Sequence, residues 1–368
     1  MCYSAVESNL QREHYGVEIE MLNVFITSPL EPEHVERMRA AAPEQVQILY
    51  DPDLLPPTRY IADHQGTPDF NLTAEQQARW GAHLAIANVL WDFPAVASDG
   101  PRILDLVPNL RWVQTTSAGV GPKVKALGLD TSDVVITTAS GVHAEPLAEF
   151  AFMAMLIHVK ELARIQRDQG GKHWERFCSD ELAGKTLAIV GPGHIGRQVD
   201  RSGKAFGMRV LALGSRGGDE RLAELGVDVL FTRERLHEML GQADAVVLSC
   251  PHTPETEGMI DAAAFGAMKD GVLFVNIARG AVVDEPELIR SLRSGKVAFA
   301  ALDVFATEPL PADSPLWEMD NVLVSPHSGS TSTSENSKIT DIFCHNLECF
   351  IEGRVDDMRN VLDKTRLY

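Results

Sequence analysis

The sequence predicts an α/β chain in which one doubly wound unit is nested inside another. Short apolar runs alternate with helical patterns along most of its length, the mark of parallel sheets covered by helices. A glycine-rich turn, Gly191-Pro192-Gly193-His194-Ile195-Gly196, stands between one such run and a helix. The 368 residues exceed one ordinary core and suit two domains.

Residues 1–20 read as a polar tail or a packed arm. Residues 22–27 form a first strand by their apolar run, and 32–42 a helix opened by Pro32, whose fixed φ suits a first helical position. Residues 46–50 read as a strand. The stretch 51–71, rich in Pro, Asp and Gly, reads as a long loop, a length that is uncommon and often functional. A helix is expected over 74–83 and strands over 84–90, 111–115 and 134–138. One long helix follows over 145–169, apolar in its first half and ended by Gly170-Gly171. Such a helix can link domains, form a dimer interface or lie in a core. Strands at 186–190, 209–213, 245–248, 272–275, 298–302 and 321–324 surround a helix at 195–206, and a last helix spans 334–352. The outer unit is therefore expected to comprise 21–142 and 329–368, with a dinucleotide unit at 143–328 between its two parts.

Hydrophobic residues make up 45% and charged residues 23%, the balance of an ordinary globular protein. The formal charge of −19 repels polyphosphate backbones and anionic membranes, which argues against nucleic-acid or membrane partners. The same charge keeps a surface soluble. The five cysteines are odd in number and their spacings fit no zinc pattern, so free thiols in a reducing, cytoplasmic compartment and no metal site are expected. Residues 1–20 carry no apolar run of the secretory kind, and the longest apolar stretch, 150–159, is too short to span a bilayer.

Gly191, Gly193 and Gly196 supply the GxGxxG spacing. The first permits the tight turn, the second lets backbone approach a pyrophosphate, and the third lets helix and strand pack closely. His194 precedes a helix that opens at Ile195, whose unpaired N–H groups attract phosphate. An NAD site places an acid about 20 residues on, at the end of the next strand, to accept from the ribose 2′-hydroxyl. Here that strand end reads Leu213-Gly214-Ser215-Arg216, without an acid. Ser215 and Arg216 suit a 2′-phosphate instead, and a charge-assisted contact is worth roughly 1.5–3 kcal/mol. NADP(H) is therefore expected over NAD(H). If Arg216 is merely a solvated surface residue, NAD(H) remains usable.

Arg279 follows an apolar strand, at the edge where open α/β sheets bind ligands. Its guanidinium can clamp a planar carboxylate through a bidentate fork. His327, in Ser325-Pro326-His327, also follows a strand. A ketone that takes hydride needs a proton at the developing alkoxide, and imidazole is the side chain best suited near neutral pH. Glu308, in Thr307-Glu308-Pro309, can stabilise the imidazolium and fix its tautomer. Among the 12 histidines the competitors are His143, His194 and His252; His252 has a place along the cofactor pocket but no close acidic partner in sequence. Asp303 ends a strand and can accept from a nicotinamide carboxamide, or else cap the following turn. Thr116-Ser117-Ala118-Gly119-Val120 offers small residues whose amides can meet a carboxylate opposite Arg279.

With these motifs in this order, the chain resembles the D-isomer-specific 2-hydroxyacid dehydrogenase family from about residue 22 to the end, most nearly its glyoxylate/hydroxypyruvate reductase branch. The pieces that carry the likeness are Ser117–Val120, the glycine turn, Pro251-His252-Thr253-Pro254-Glu255-Thr256, 276–284, 302–309 and Pro326-His327. The resemblance implies a Rossmann cofactor domain inserted in a flavodoxin-like substrate domain, and a homodimer built on the cofactor domains. It implies that Arg279 binds and polarises a 2-keto acid, that His327 is the acid/base with Glu308 its partner, and that Ala118 and Gly119 offer amides to the carboxylate. Cofactor contacts would come from the glycine turn, from Cys250, Pro251, His252 and Thr256, from Ile277 and Ala278, and from Asp303 and Gly329. Formate dehydrogenases are similar too, but pair the histidine with glutamine. Carboxy-terminal binding proteins, dinucleotide-sensing corepressors, also resemble this family and supply a non-enzymatic alternative. The loop 51–71 is longer than usual for the family, and His252 stands where leucine is common.

Overall fold

The computed structural model describes residues 21–95, 102–215 and 218–367. Its strands form two wholly parallel sheets. The first contains β1 (Leu22–Ile26), β2 (Val46–Leu49), β3 (Val89–Trp91), β4 (Trp112–Gln114) and β5 (Val135–Thr137), in the order β2-β1-β3-β4-β5. This is the flavodoxin order. The second contains β6 (Thr186–Val190), β7 (Arg209–Leu213), β8 (Val229–Phe231), β9 (Ala245–Leu248), β10 (Val272–Asn276), β11 (Val297–Leu302) and β12 (Val322–Val324), in the order β12-β11-β10-β9-β6-β7-β8. The winding reverses between β6 and β9, as in a dinucleotide-binding sheet.

Strands covered on both faces need continuous apolar sequence. β10 is buried at all five positions and β9 at all four. Helix Ala144–Val159 packs Leu147, Ala151 and Met155 against one face of the seven-stranded sheet, and Met239, Phe265 and Leu288 cover the other. The final helix, Glu335–Ile351, returns to the five-stranded sheet. There Phe343 stacks on Trp112 at 5.0 Å between ring centres and meets Trp91 edge-on at 5.7 Å.

Register places the chemistry. Val190 pairs with Leu213 and Leu248, Asn276 with Leu248 and Leu302, and Leu302 with Val324. The next residues of six strands, Gly191, Gly214, Ser249, Ile277, Asp303 and Ser325, therefore line one sheet edge. In the smaller sheet the row Ile26, Trp91, Gln114, Thr137 aligns Thr27, Asp92, Thr115 and Thr138 likewise.

Two expectations need correction, and one strand is added. Residues 84–90 are not one strand: helix Ala74–Ile86 runs on, and β3 begins only at Val89. The Thr73–Gln76 capping box starts that helix, and its propagation carries it through the apolar residues that look strand-like. The helix expected over 145–169 is two, Ala144–Val159 and Leu162–Gly170, broken where Glu161 takes a left-handed backbone (φ 52°). Burial ends at Val159 and the second helix buries no residue, so nothing holds the two in line. The three-residue strand β8 has no counterpart among the expected strands. Residues 1–20 and Arg216, expected as a tail and a phosphate contact, lie outside the described residues.

Candidate active site

The three glycines of the turn differ in what surrounds them. Gly191 has φ 96°, and a Cβ there would stand 2.6 Å from the Cys250 Cα. At Gly196 a Cβ would stand 2.4 Å from the Gly191 carbonyl oxygen. Gly193, the N-cap of helix His194–Ala205, is different: a Cβ would meet nothing within 4 Å. Two glycines thus serve the protein's own packing. The third faces open space at a helix N-terminus, the place a pyrophosphate would take. These residues fit a dinucleotide.

The other expected cofactor residues divide. Ser215 is exposed just past β7. Ile277 and Ala278 are buried, and the Ala278 amide donates to the Asn276 Oδ1 at 3.0 Å. Cys250 is buried behind Gly191, and burial pushes its thiol up to about 11, so it stays protonated and unreactive. The Thr256 hydroxyl donates to the Pro251 carbonyl at 2.7 Å and accepts from the Thr253 amide at 2.8 Å, which closes that turn. His252 does have an acidic neighbour: its Nε2 lies 3.8 Å from the Glu257 carboxylate, five residues on and reachable because the chain turns between them. His194 turns its ring toward Gly141, 3.6 Å from where a Cβ would stand.

Arg279 is exposed at the end of β10. Its turn is held by Asn276, whose Nδ2 donates to the Arg279 carbonyl at 3.3 Å. Its Nη1 donates to the Ala278 carbonyl at 2.6 Å, and its Nη2 would meet a Cβ on Gly119 at 2.7 Å. Ser117, Ala118 and Gly119 are exposed past β4. The two elements expected to share a carboxylate therefore face each other across the units. Gly280 is required for a different reason: a Cβ would come 1.9 Å from the Phe305 backbone.

The His327 Nδ1 lies 2.8 Å from the Glu308 Oε2, and the Phe305 amide donates to the Glu308 Oε1 at 3.0 Å. With Nδ1 committed to the carboxylate, Nε2 is the nitrogen left for proton exchange. His327 holds a left-handed backbone, φ 54°. Asp303, buried to 2% exposure, secures this turn: its Oδ1 accepts from the Ser325 hydroxyl and from the Ser328 and Gly329 amides, all within 2.9 Å. Asn276 and this use of Asp303 were missed from sequence; both sit inside motifs already noticed, and only the bonded partners show their work.

The family model for "D-isomer specific 2-hydroxyacid dehydrogenase, NAD binding domain" matches residues 152–329. The chain is 37% identical to D-3-phosphoglycerate dehydrogenase of Mycobacterium leprae over 271 residues, 66% of this chain and 50% of that protein. It thus spans about half the length of that relative. It is 34% identical to a glyoxylate reductase of Korarchaeum cryptofilum, with 69% of this chain and 77% of that protein covered. In structure it superposes on a D-isomer specific 2-hydroxyacid dehydrogenase from Xanthobacter autotrophicus, solved with NADPH and MES, at a TM-score of 0.71 and 26% identity, covering 95% of this chain and all of the other. The two-domain fold with its Rossmann unit is the same, and the chain belongs to the D-isomer-specific 2-hydroxyacid dehydrogenase family.

Proposed function

We propose that the protein reduces a 2-keto acid to a D-2-hydroxy acid with NADPH, in a cleft between a cofactor unit at 143–328 and a substrate unit formed by 21–142 and 329–368. The observation that carries this reading is the His327–Glu308 pair. Both side chains are partly exposed to solvent, and an exposed ion pair contributes only about 0–1 kcal/mol to stability. A left-handed non-glycine backbone costs on the order of 1–3 kcal/mol. A pair held at that cost, and braced by Asp303 and the Phe305 amide, is better explained by chemistry than by folding.

A dinucleotide held at the turn Gly191–Gly196 would supply hydride for the carbonyl carbon. The chain does the rest. Arg279 and the Ala118–Gly119 amides take the substrate carboxylate and orient the ketone. Nε2 of His327 gives its proton to the oxygen as the alkoxide develops, and Glu308 stabilises the imidazolium beforehand. Glyoxylate and hydroxypyruvate are the first substrates to try. The glyoxylate reductase relative and the NADPH-bound neighbour support the reaction and the cofactor. So does the strand end at Gly214-Ser215, with no acid to repel a 2′-phosphate. A homodimer built on the cofactor units belongs to the same reading.

Replacing His327 by Ala tests the reading. Loss of a positioned general acid typically costs 10²–10⁴-fold, so kcat should fall by about that factor while NADPH affinity survives. Undiminished reduction would move the acid elsewhere.

A further inference from the structure

The chain passes between the units twice. It leaves the five-stranded sheet through 138–143 to enter helix Ala144–Val159, and it returns from β12 through His327 to helix Glu335–Ile351. One buried carboxylate joins both crossings. Glu335, 5% exposed, opens the returning helix, and its Oε1 lies 3.1 Å from the His143 Nε2. His143 is the N-cap of the outgoing helix. The same oxygen lies 3.2 Å from the Nε2 of His64, in the long loop 51–71. Nearby, Asn336 donates to Glu31, whose other oxygen accepts the Ala62 amide, so the loop is tied to the same helix start twice.

The crossings lead directly to the reacting groups. The Ala139 amide donates to the Ser117 carbonyl, next to Ala118 and Gly119. His327 lies eight residues before Glu335. The spacing of Gly119 from Arg279 spans the two units, so it depends on how the crossings are held. Charge-assisted hydrogen bonds to a desolvated carboxylate hold geometry well.

We propose that Glu335 is a positioning residue for the reaction: by bonding His143 and His64 it fixes both crossings, and with them the cleft that joins Arg279 to the Ala118–Gly119 amides. This rests on the reductase reading above. A misplacement of about 1 Å far from the chemistry can cost 10²-fold. Glu335→Ala should therefore lower kcat/KM for the keto acid by roughly ten- to a hundredfold while NADPH affinity stays at the wild-type level. Glu335→Gln, which keeps an acceptor oxygen, should recover most of the loss. His143→Ala should lose part of what Glu335→Ala loses, since the His64 bond survives, and the double variant should be no worse than Glu335→Ala alone. Backbone amide exchange supplies the independent reading: Glu335→Ala and His143→Ala should speed exchange at residues 139–144 and 328–336. Unchanged exchange and unchanged kcat/KM in a folded variant would overturn the proposal. So would a fall in melting temperature, equal in the Ala and Gln variants, with no change in kcat/KM. If the wild type reduces no keto acid, the reductase reading falls, and the exchange measurement alone still decides whether Glu335 fixes the crossings. If Glu335→Ala does not fold, His143→Ala carries the test.

Discussion

An arginine fork earns its place by what a substitution removes. Arg279 is exposed, so its loss should cost the fold little. Arg279→Ala should lower kcat/KM for the keto acid by about 10- to 100-fold, the worth of roughly 1.5–3 kcal/mol of charge-assisted bonding, with NADPH affinity intact. Steady-state rates and a fluorescence titration of NADPH check both halves. A normal kcat/KM would show that the carboxylate is anchored elsewhere. Asp303 works differently. Its Oδ1 serves the turn that carries His327, so Asp303→Ala should damage proton transfer even if it never meets the nicotinamide.

At the scale of elements, the glycine turn makes a sharper contrast. Gly196→Ala would drive a Cβ to 2.4 Å from the Gly191 carbonyl, and overpacking of this sort costs typically about 1–3 kcal/mol. Gly193→Ala would meet no protein atom within 4 Å. The first variant should lower the melting temperature of the protein without cofactor. The second should leave it unchanged and weaken NADPH binding. Equal melting losses in both would mean that Gly193 serves the protein's packing and not a pyrophosphate. Most elements were legible in the sequence because parallel strands are buried on both faces and so read as unbroken apolar runs, β9 and β10 above all. The break at Glu161 carries no glycine or proline; it follows from where burial stops, which is a tertiary fact. Among the candidate site residues, Arg279 and His327 stood out by their side-chain chemistry just after strands, and Glu308 as a carboxylate suited to an imidazole. Glu335 and His64 were not, since a glutamate at a helix start and a histidine in a loop are ordinary until the fold puts them 3.2 Å apart.

For the molecule as a whole, acid should cost the most stability where the loop 51–71 meets the returning helix. Burial pushes the Glu335 carboxyl up, but the hydrogen bonds of His143 and His64 bring it down to about 2. The Arg59 guanidinium holds Asp63 well below the usual carboxylate range, and Glu31 is also lowered, its burial outweighed by the Ala62 amide and Asn336. A carboxyl lowered on folding contributes stability that is fully present above its unfolded value and is lost as pH falls through the folded one. For Glu335 that window runs from 4.5 down to about 2. Denaturation midpoints measured across it should fall more steeply for the wild type than for Glu335→Gln, which has no carboxyl to titrate. Parallel slopes would show that Glu335 gains nothing from its imidazole partners.

Keto acid reduction by this protein is read most directly from initial rates of NADPH and NADH oxidation with glyoxylate, hydroxypyruvate, pyruvate and phenylpyruvate. Turnover of at least one of them is expected, faster with NADPH and lost in His327→Ala. Measurable NADPH binding with no turnover of any of the four would contradict it and favour a dinucleotide-sensing role.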